Sequence, residues 1–244
     1  MSFENCIIKT RAGSSIVLLG SNTINFYNTT ISGCDTMWQG LIVDYIGTVI
    51  LEDLNSIQDA HEAINLGPKG NLLMNNSEII NSVTGIKVPP TYPSLFGGTV
   101  DLRQARFGMY ASSFLPDYHG QPMHDSVLPY AGVDVSDAVL SIGDDSYGTN
   151  TFHNMNIGVR GFRSDLNVYN CTFDSIRAIY FYNSKGNASA VVIIGDTANN
   201  VASSLRVHPI DPSLKNMDYC QTGVYSFYSN LAVYGCFMDH MFDG

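Results

Sequence analysis

The stretch NLLMNNSEIINSVTGIKV at residues 71–88 decides the fold class of this chain, because its pattern returns later in the sequence. DLNVYNCTFDSIRAIYFY at 165–182 and NLAVYGCFMDH at 230–240 repeat its order of apolar and polar residues. In each, apolar residues alternate with polar ones in short runs, and a turn residue separates the runs. Such alternation is typical of short β-strands joined by turns. Its recurrence at a fixed period predicts a repeat architecture.

The repeat unit recurs about every 24 residues and is defined by apolar positions and a turn position. The second apolar position of the unit is held by Phe3, Phe26, Leu51, Met74, Leu102, Ile142, Val168, Ile193 and Val233. The turn position two residues later is held by Asn5, Asn28, Asp53, Asn76, Gln104, Asp144, Asn170, Gly195 and Gly235. A tight corner needs the left-handed backbone conformation that Asn, Asp and Gly tolerate best. Each unit is therefore expected to turn at this position.

A single unit of this kind cannot bury its own apolar side, so the units have to stack. Strands stacked about 4.8 Å apart give each backbone group a partner above and below. Alternation then sends every second side chain into a shared internal column. The sequence predicts an all-β fold, a single-stranded parallel β-helix (solenoid) of about nine rungs, as one domain over residues 1–244.

Composition and charge exclude several classes of function. The formal net charge of −10 disfavours nucleic acid, whose phosphates need Lys and Arg. The sequence has no apolar run approaching the roughly 18 residues of a membrane span, so membrane insertion is not expected. Five cysteines without a CxxC motif favour neither a zinc ribbon nor a full disulfide framework. No metal site is predicted; calcium remains open, through the oxygen ligands of Asp134, Asp137, Asp144 and Asp145.

The chain resembles the right-handed parallel β-helix family, the pectin-lyase-like superfamily. The phrases MWQGLIVDY at 37–45 and TVILEDLNSIQDAHEAINL at 48–66 are similar to those of secreted repeat proteins of Bacteroidetes-type bacteria. The resemblance implies a right-handed coil and an extracellular or cell-surface location. It carries over no catalytic residue, because neither the calcium-and-arginine site of pectate lyases nor the aspartate cluster of polygalacturonases is matched. Both ends of the sequence fall within a unit, so a longer parent chain is expected.

Two long insertions are expected at one corner of the coil. The longest steps between units predict insertions at about 108–131 and 199–222, in the same place within the unit. Long loops on a rigid scaffold carry function more often than short ones. Two such loops would form the walls of a groove whose floor is made by the short corners between them.

The groove predicts a set of candidate site residues. The candidate catalytic residues are His153, Asp174 and Arg177. The candidate ligand-binding residues are Tyr118, His119, His124, Asn154, His208, Asp211 and Tyr219. Arg, His and Tyr can neutralise a uronate and remove its adjacent proton, as a lyase requires. Hydrolysis fits less well, because Asp174 has no neighbouring carboxylate within its own unit and a glycosidase needs two.

Three functions therefore remain open. The favoured one is a monomeric, non-catalytic scaffold or adhesin-like segment that binds a polysaccharide or surface glycan without turnover. The second is a polysaccharide lyase, or less favourably a glycoside hydrolase, acting in the groove. The third is a segment of a phage tail-spike-like trimer, disfavoured by the polar outward positions Asn25, Asn75, Asn167 and Ser141.

Overall fold

The computed structural model describes residues 1–111, 114–117, 129–144, 148–177, 188–208 and 215–241. These residues form β-strands and turns, and none of them is helical. The first strands are β1 Ser2–Glu4, β2 Ile7–Thr10, β3 Ser15–Leu18, β4 Thr23–Tyr27, β5 Thr30–Gly33, β6 Gly40–Val43, β7 Thr48–Glu52, β8 Ser56–Gln58, β9 Glu62–Leu66, β10 Asn71–Asn75, β11 Glu78–Ile80, β12 Thr84–Val88 and β13 Thr99–Arg103. The remaining strands are β14 Arg106–Gly108, β15 Ala131–Ser136, β16 Val139–Ile142, β17 Asn150–His153, β18 Ile157–Phe162, β19 Asp165–Tyr169, β20 Cys171–Asp174, β21 Ser189–Ile194, β22 Ser203–His208, β23 Lys215–Asp218, β24 Thr222–Phe227, β25 Ser229–Val233 and β26 Phe237–Asp239.

The strands form parallel sheets in which each strand pairs with the one three places further along the chain. Sheet A has the order β1-β4-β7-β10-β13, and sheet D continues this series as β16-β19-β22-β25. Sheet B has the order β2-β5-β8-β11-β14-β17-β20-β23-β26. Sheet C has the order β3-β6-β9-β12-β15-β18-β21-β24. One unit thus supplies one strand to each side of the molecule, which confirms the all-β, solenoid-like fold predicted from the repeat.

The core lies between the sheets and consists of columns of like side chains. In sheet B, the rings of Phe107, Phe152 and Phe173 stack with centroids 4.9 Å apart. Paired register on neighbouring strands places these rings directly above one another. Trp38 is also fully buried, and its Nε1–H donates to the Gln58 carbonyl at 2.8 Å. Trp38 is therefore a packing residue, as expected for an aromatic residue at a corner.

The predicted turn position adopts the left-handed conformation in most units. Positive φ values between 44° and 53° occur at Asn5, Asn28, Asp53, Asn76, Gln104 and Asn170. In the sixth unit Gly143, rather than Asp144, has the positive φ, at 79°. Stacked amides also bond along the column, since Asn28 Nδ2 donates to Asn5 Oδ1 at 2.8 Å. The recurrence of Asn therefore has the backbone cause that the sequence suggested.

The second long insertion lies elsewhere than predicted. The range 199–222 contains β22 and β23, and pairing of β22 with β19 sets Val207 opposite Val168. Val207 therefore holds the second apolar position of the eighth unit, and the assignment of Ile193 to it is wrong. Ile193 belongs to β21 of sheet C, where it pairs with Gly161. Most of β21 is buried, so its apolar run is unbroken. In the sequence, such a run is easily mistaken for the strand that carries the second apolar position of the unit.

Both insertions nevertheless leave the coil at one corner. The first occupies 109–130, between β14 of sheet B and β15 of sheet C. The extra residues of the later unit occupy 175–188, between β20 of sheet B and β21 of sheet C. The corner between sheets B and C is therefore where the unit length varies most.

Cysteine side chains fill positions along the chain without pairing in the described residues. Cys171 and Cys220 are buried, Cys6 and Cys236 are partly buried, and Cys34 is exposed. Burial raises the pKa of the Cys171 and Cys220 thiols to about 12. Within the same residues, no helix has the length and apolar character needed to cross a membrane.

Candidate functional site

Four polar residues form a row on the outer face of sheet B, and we call them the polar row: His153, Asp174, Asp218 and Asp239. They end strands β17, β20, β23 and β26 and are paired in register from strand to strand. The preceding residue of each of the first three strands points inward and is buried, so alternation turns the polar row outward. The side chains are 39%, 46%, 22% and 35% exposed, in that order.

A histidine holds each carboxylate at the centre of the polar row. His153 Nδ1 lies 2.8 Å from Asp174 Oδ2, and His240 Nδ1 lies 3.0 Å from Asp218 Oδ1. The Ser175 hydroxyl donates to the other oxygen, Oδ1, of Asp174 at 3.3 Å. A carboxylate accepts hydrogen bonds, so each imidazole carries its proton on Nδ1 and presents Nε2 on the far side of the ring.

The residues that follow the polar row adopt the left-handed conformation. Asn154, Ser175, Tyr219 and His240 have φ values of 52°, 57°, 51° and 49°. Asn suits this conformation and large side chains adopt it rarely, but Asp59 and Asn81 have it at the same corner after β8 and β11, so it belongs to the turn of the coil. The rings of Tyr219 and His240 stack with centroids 4.5 Å apart and planes 5° apart. An aromatic pair thereby borders the acidic end of the row.

The other end of the polar row is bordered by Tyr110 and a polar corner. The rings of Tyr110 and His153 lie 5.9 Å apart. Desolvation raises the pKa of the Tyr110 hydroxyl, and the charge of Arg106 opposes this only in part. Arg177 Nη2 donates to Asn154 Oδ1 at 3.2 Å, beside His153. This end of the row therefore offers a protonated phenol and a guanidinium.

The structure brings together the residues that were predicted to line the floor of a groove. His153 bonds to Asp174, and Arg177 bonds to Asn154, across adjacent units. Tyr219 follows Asp218 directly, so it also borders the row. Tyr118, His119, His124 and Asp211 lie outside the described residues.

His208 does not belong to this site. It ends β22 on sheet D, where its ring stacks between Tyr169 and Tyr234 at centroid distances of 5.1 and 4.5 Å. Sheet D and sheet B are different sides of the coil, so His208 cannot overhang the polar row. Its prediction as a wall residue followed from placing the second insertion at 199–222.

The described part of the first insertion packs against earlier units. The Met37 N–H donates to the Pro116 carbonyl at 2.8 Å, and Asn81 Oδ1 accepts the Tyr110 N–H at 3.0 Å. Phe114 is buried in a small cluster with Met37 and Met109. Residues 114–117 therefore run towards the N-terminal units rather than over the polar row.

Sequence reasoning missed Asp218, Asp239 and His240. The signal was present: once Val207 holds the second apolar position, Met217 matches Phe173 and Asp218 matches Asp174. The carboxylate that Asp174 lacks within its own unit is supplied by the next unit of the coil. The objection to a carboxylate pair therefore does not hold in three dimensions.

Asp218, Asp239 and His240 also form a group of potential metal ligands. Among the described residues, one donor atom of each lies within 4.8 Å of the other two. An imidazole nitrogen with carboxylate oxygens suits zinc or another transition metal better than calcium.

Two of the acidic residues considered for calcium, Asp134 and Asp137, form ion pairs with lysine or arginine. Asp134 accepts a hydrogen bond from Arg160 at 2.8 Å and also pairs with Lys87, and Asp137 is bonded by Arg163. These cations neutralise both buried carboxylates, so their contacts do not favour a calcium site there.

Comparisons with protein-family models, with curated proteins and with solved structures find no match to this chain.

Proposed function

We propose that the outer face of sheet B binds a neutral polysaccharide along the polar row. The observation that carries the proposal is the in-register alignment of His153, Asp174, Asp218 and Asp239 on adjacent strands, all partly exposed. Carboxylate oxygens and imidazole nitrogens accept hydrogen bonds from hydroxyl groups, which a sugar supplies on every ring.

The geometry of the row favours an extended ligand. Neighbouring strands lie about 4.8 Å apart, so four strands offer polar groups over roughly 15 Å along the coil axis. The exposed ring of Tyr219, stacked on His240, adds an apolar surface at the acidic end. An aromatic surface beside hydrogen-bonding groups suits a sugar ring, which has apolar faces and polar edges.

Charge favours a neutral polymer over a uronate. Three of the four residues in the polar row are aspartates, and like charges brought together at an interface are unfavourable. A lyase must instead neutralise the uronate carboxylate, and the Arg177 guanidinium, bonded to Asn154, lies at the His153 end of the row rather than among the aspartates. The lyase alternative therefore has less support than glycan binding.

The proposal also includes the handedness and number of turns of the coil, its oligomeric state and its location. A parallel β-helix of about nine turns accords with the sheet order, in which each strand pairs with the third one along, and its right-handedness is proposed from the resemblance. The pectin-lyase-like resemblance, a monomeric state and an extracellular or cell-surface location belong to this proposal. The negative charge supports a ligand other than nucleic acid. The polar outward positions Asn25, Asn75, Asn167 and Ser141 disfavour a tail-spike-like trimer.

Affinity electrophoresis tests the proposal with xylan, mannan, galactan and mixed-linkage glucan, beside pectate and alginate as acidic polymers. We expect retardation by at least one neutral polymer and none by the acidic ones. Tyr219→Ala is expected to weaken binding by about three- to tenfold, the range of a lost aromatic contact. Tyr27→Ala is the matched control, because Tyr27 is 45% exposed against 44% for Tyr219 but lies on sheet A.

Two results would contradict the proposal. One is a protein that no neutral polymer retards. The other is an equal loss of binding in Tyr219→Ala and Tyr27→Ala, which would place the ligand away from the polar row.

A further inference from the structure

We propose that Tyr110 is a second aromatic contact for the glycan, so that the site selects an extended chain long enough to reach both Tyr110 and Tyr219. This inference rests on the proposed function and deepens it, since the two tyrosines border opposite ends of the polar row. A chain that reaches both rings is bound along its length rather than at one terminal sugar.

The ring of Tyr110 follows His153 in the row, at a strand where the row has no side chain of its own. Gly108 of β14 pairs in register with His153. A Cβ atom at Gly108 would lie 2.6 Å from the His153 carbonyl oxygen, which excludes a larger residue there. Tyr110 comes two residues later, and its ring centroid lies 5.9 Å from that of His153. The unit of β14 thus contributes an aromatic ring to this end of the row.

The backbone that carries Tyr110 is fixed by Asn81. The N–H groups of Tyr110 and Ala111 both donate to Asn81 Oδ1, at 3.0 Å each. Asn81 follows β11 in the left-handed conformation, with φ 54°. A group that is held in place before binding loses less conformational entropy when the ligand arrives. Asn81 is therefore a positioning residue for the Tyr110 ring.

Both tyrosines are accessible to a ligand. The exposed fraction is 56% for Tyr110 and 44% for Tyr219. Desolvation raises the pKa of the Tyr110 hydroxyl, so this group remains a neutral hydrogen-bond donor at neutral pH. A ring that combines an apolar body with a hydroxyl donor suits a sugar, which has apolar faces and polar edges.

The spacing of the two tyrosines sets the length of the ligand. Tyr110 belongs to the unit of β14 and Tyr219 to that of β23, and β17 and β20 lie between them in sheet B. Three strand steps of about 4.8 Å separate these units by roughly 14 Å along the coil axis. A sugar unit of an extended chain advances by about 5 Å, close to one strand step, so about three to four units are needed to reach both rings.

Calorimetric titration with oligosaccharides of two to six units tests the inference, using fragments of each neutral polymer that retards the protein in affinity electrophoresis. We expect the affinity to rise with length until the chain reaches both rings, and then to level off. Tyr110→Ala should weaken binding of the hexasaccharide by about three- to tenfold, the range of a lost aromatic contact. Tyr110→Phe should keep most of the affinity, because the ring is retained.

The two tyrosines should act independently on a long chain. Groups more than about 7–10 Å apart usually contribute additively to a free energy, so Tyr110→Ala combined with Tyr219→Ala should weaken hexasaccharide binding by about the product of the single losses. Tyr234→Ala is the matched control, because Tyr234 is 54% exposed and its ring also stacks on a histidine, His208, but beside sheet D. It should leave binding unchanged.

The positioning role of Asn81 has its own pair of variants. Asn81→Asp keeps the acceptor, whereas Asn81→Gly removes it and tolerates the left-handed backbone. The glycine variant should lose affinity for the hexasaccharide, and the aspartate variant should keep it. In the Tyr110→Ala background, Asn81→Gly should cause no further loss, since its effect passes through the Tyr110 ring. Thermal melts establish that each variant is folded.

Three results would overturn the inference and leave the proposed function standing, provided that Tyr219→Ala still weakens binding. They are an affinity that does not rise with chain length, a Tyr110→Ala variant that binds the hexasaccharide as tightly as the unchanged protein, and equal losses in Tyr110→Ala and Tyr234→Ala. Absence of binding to every neutral polymer would remove both the inference and the proposed function.

Discussion

Asp137 connects separate parts of the chain through one buried carboxylate. Its oxygens accept hydrogen bonds from Arg163 Nε and Nη2 at 2.7 and 3.0 Å and from the Thr91 and Tyr92 N–H groups at 2.8 Å. The hydrogen bond to Asp137 also raises the pKa of the Arg163 guanidinium. The pair therefore ties the 89–98 loop to the corner between sheets C and D.

Removal of this buried carboxylate should lower the free energy of unfolding much more than removal of an exposed one. Asp137→Ala leaves the Arg163 guanidinium, only 11% exposed, without its main partner, and we expect the free energy of unfolding to fall by about 3–5 kcal/mol. Asp101→Ala is the control, because the Asp101–Arg103 pair is 39% and 28% exposed and should contribute about 0–1 kcal/mol. Urea unfolding measures both. Similar losses in the two variants would refute the argument.

Cysteine reactivity gives a second prediction at the residue scale. With a pKa near 12, the Cys171 and Cys220 thiols stay protonated at pH 8, and thiolate forms only as the pH approaches that value. The thiolate is the reactive form, so neither should react with iodoacetamide in the native protein. Cys34, which is exposed, should be modified first. Peptide mass spectrometry checks this, and rapid labelling of Cys171 would contradict it.

At the scale of the element, the described corners after the strands of sheets A and D contain a residue with a left-handed backbone. Asn76 has φ 44°, and an alanine there would meet the left-handed penalty of roughly 1–2 kcal/mol. Asn76→Ala should therefore lower the free energy of unfolding by about that amount, while Asn76→Gly should be tolerated. Asn75→Ala, one residue earlier within β10, is the control and should have little effect. Equal midpoints for Asn76→Ala and Asn76→Gly in urea would disprove the strain argument.

The same elements explain what the sequence could and could not predict. Alternation and the recurring Asn are local signals, so the columns through Phe26, Leu51 and Met74 are visible from the sequence. The neighbour of Asp174 is not a local property, because Asp218 reaches it only after an insertion and a further circuit of the coil. The largely buried, unbroken apolar run of β21 shifts the alignment of the repeat by one strand, which hides Asp218 and misplaces His208.

At the scale of the whole molecule, most contacts between the described strands join successive units, although Pro116 of the first insertion also reaches Met37. Stability of such a structure is approximately a sum of unit and interface terms, so it need not be uniform along the axis. In β10 the inward residues Leu72 and Met74 are 1% and 0% exposed. In β25 the corresponding Leu231 and Val233 are 47% and 36% exposed, because among the described residues β25 pairs with β22 on one side and with no strand on the other.

Hydrogen exchange should therefore vary along the axis of the coil. Amides of β10 pair with strands on both sides, so they should exchange only through openings whose free energy approaches that of global unfolding. Amides of β25 should exchange through local openings of much lower free energy. Peptide-level exchange of the 244-residue chain would measure this, with slow exchange at 71–75 and fast exchange at 229–233. β1 is the comparison at the other end, since β4 is its one partner in the described part of the chain, and β1 should also exchange faster than β10. Uniform protection from β1 to β25 would contradict this prediction, because it would require every unit to unfold together.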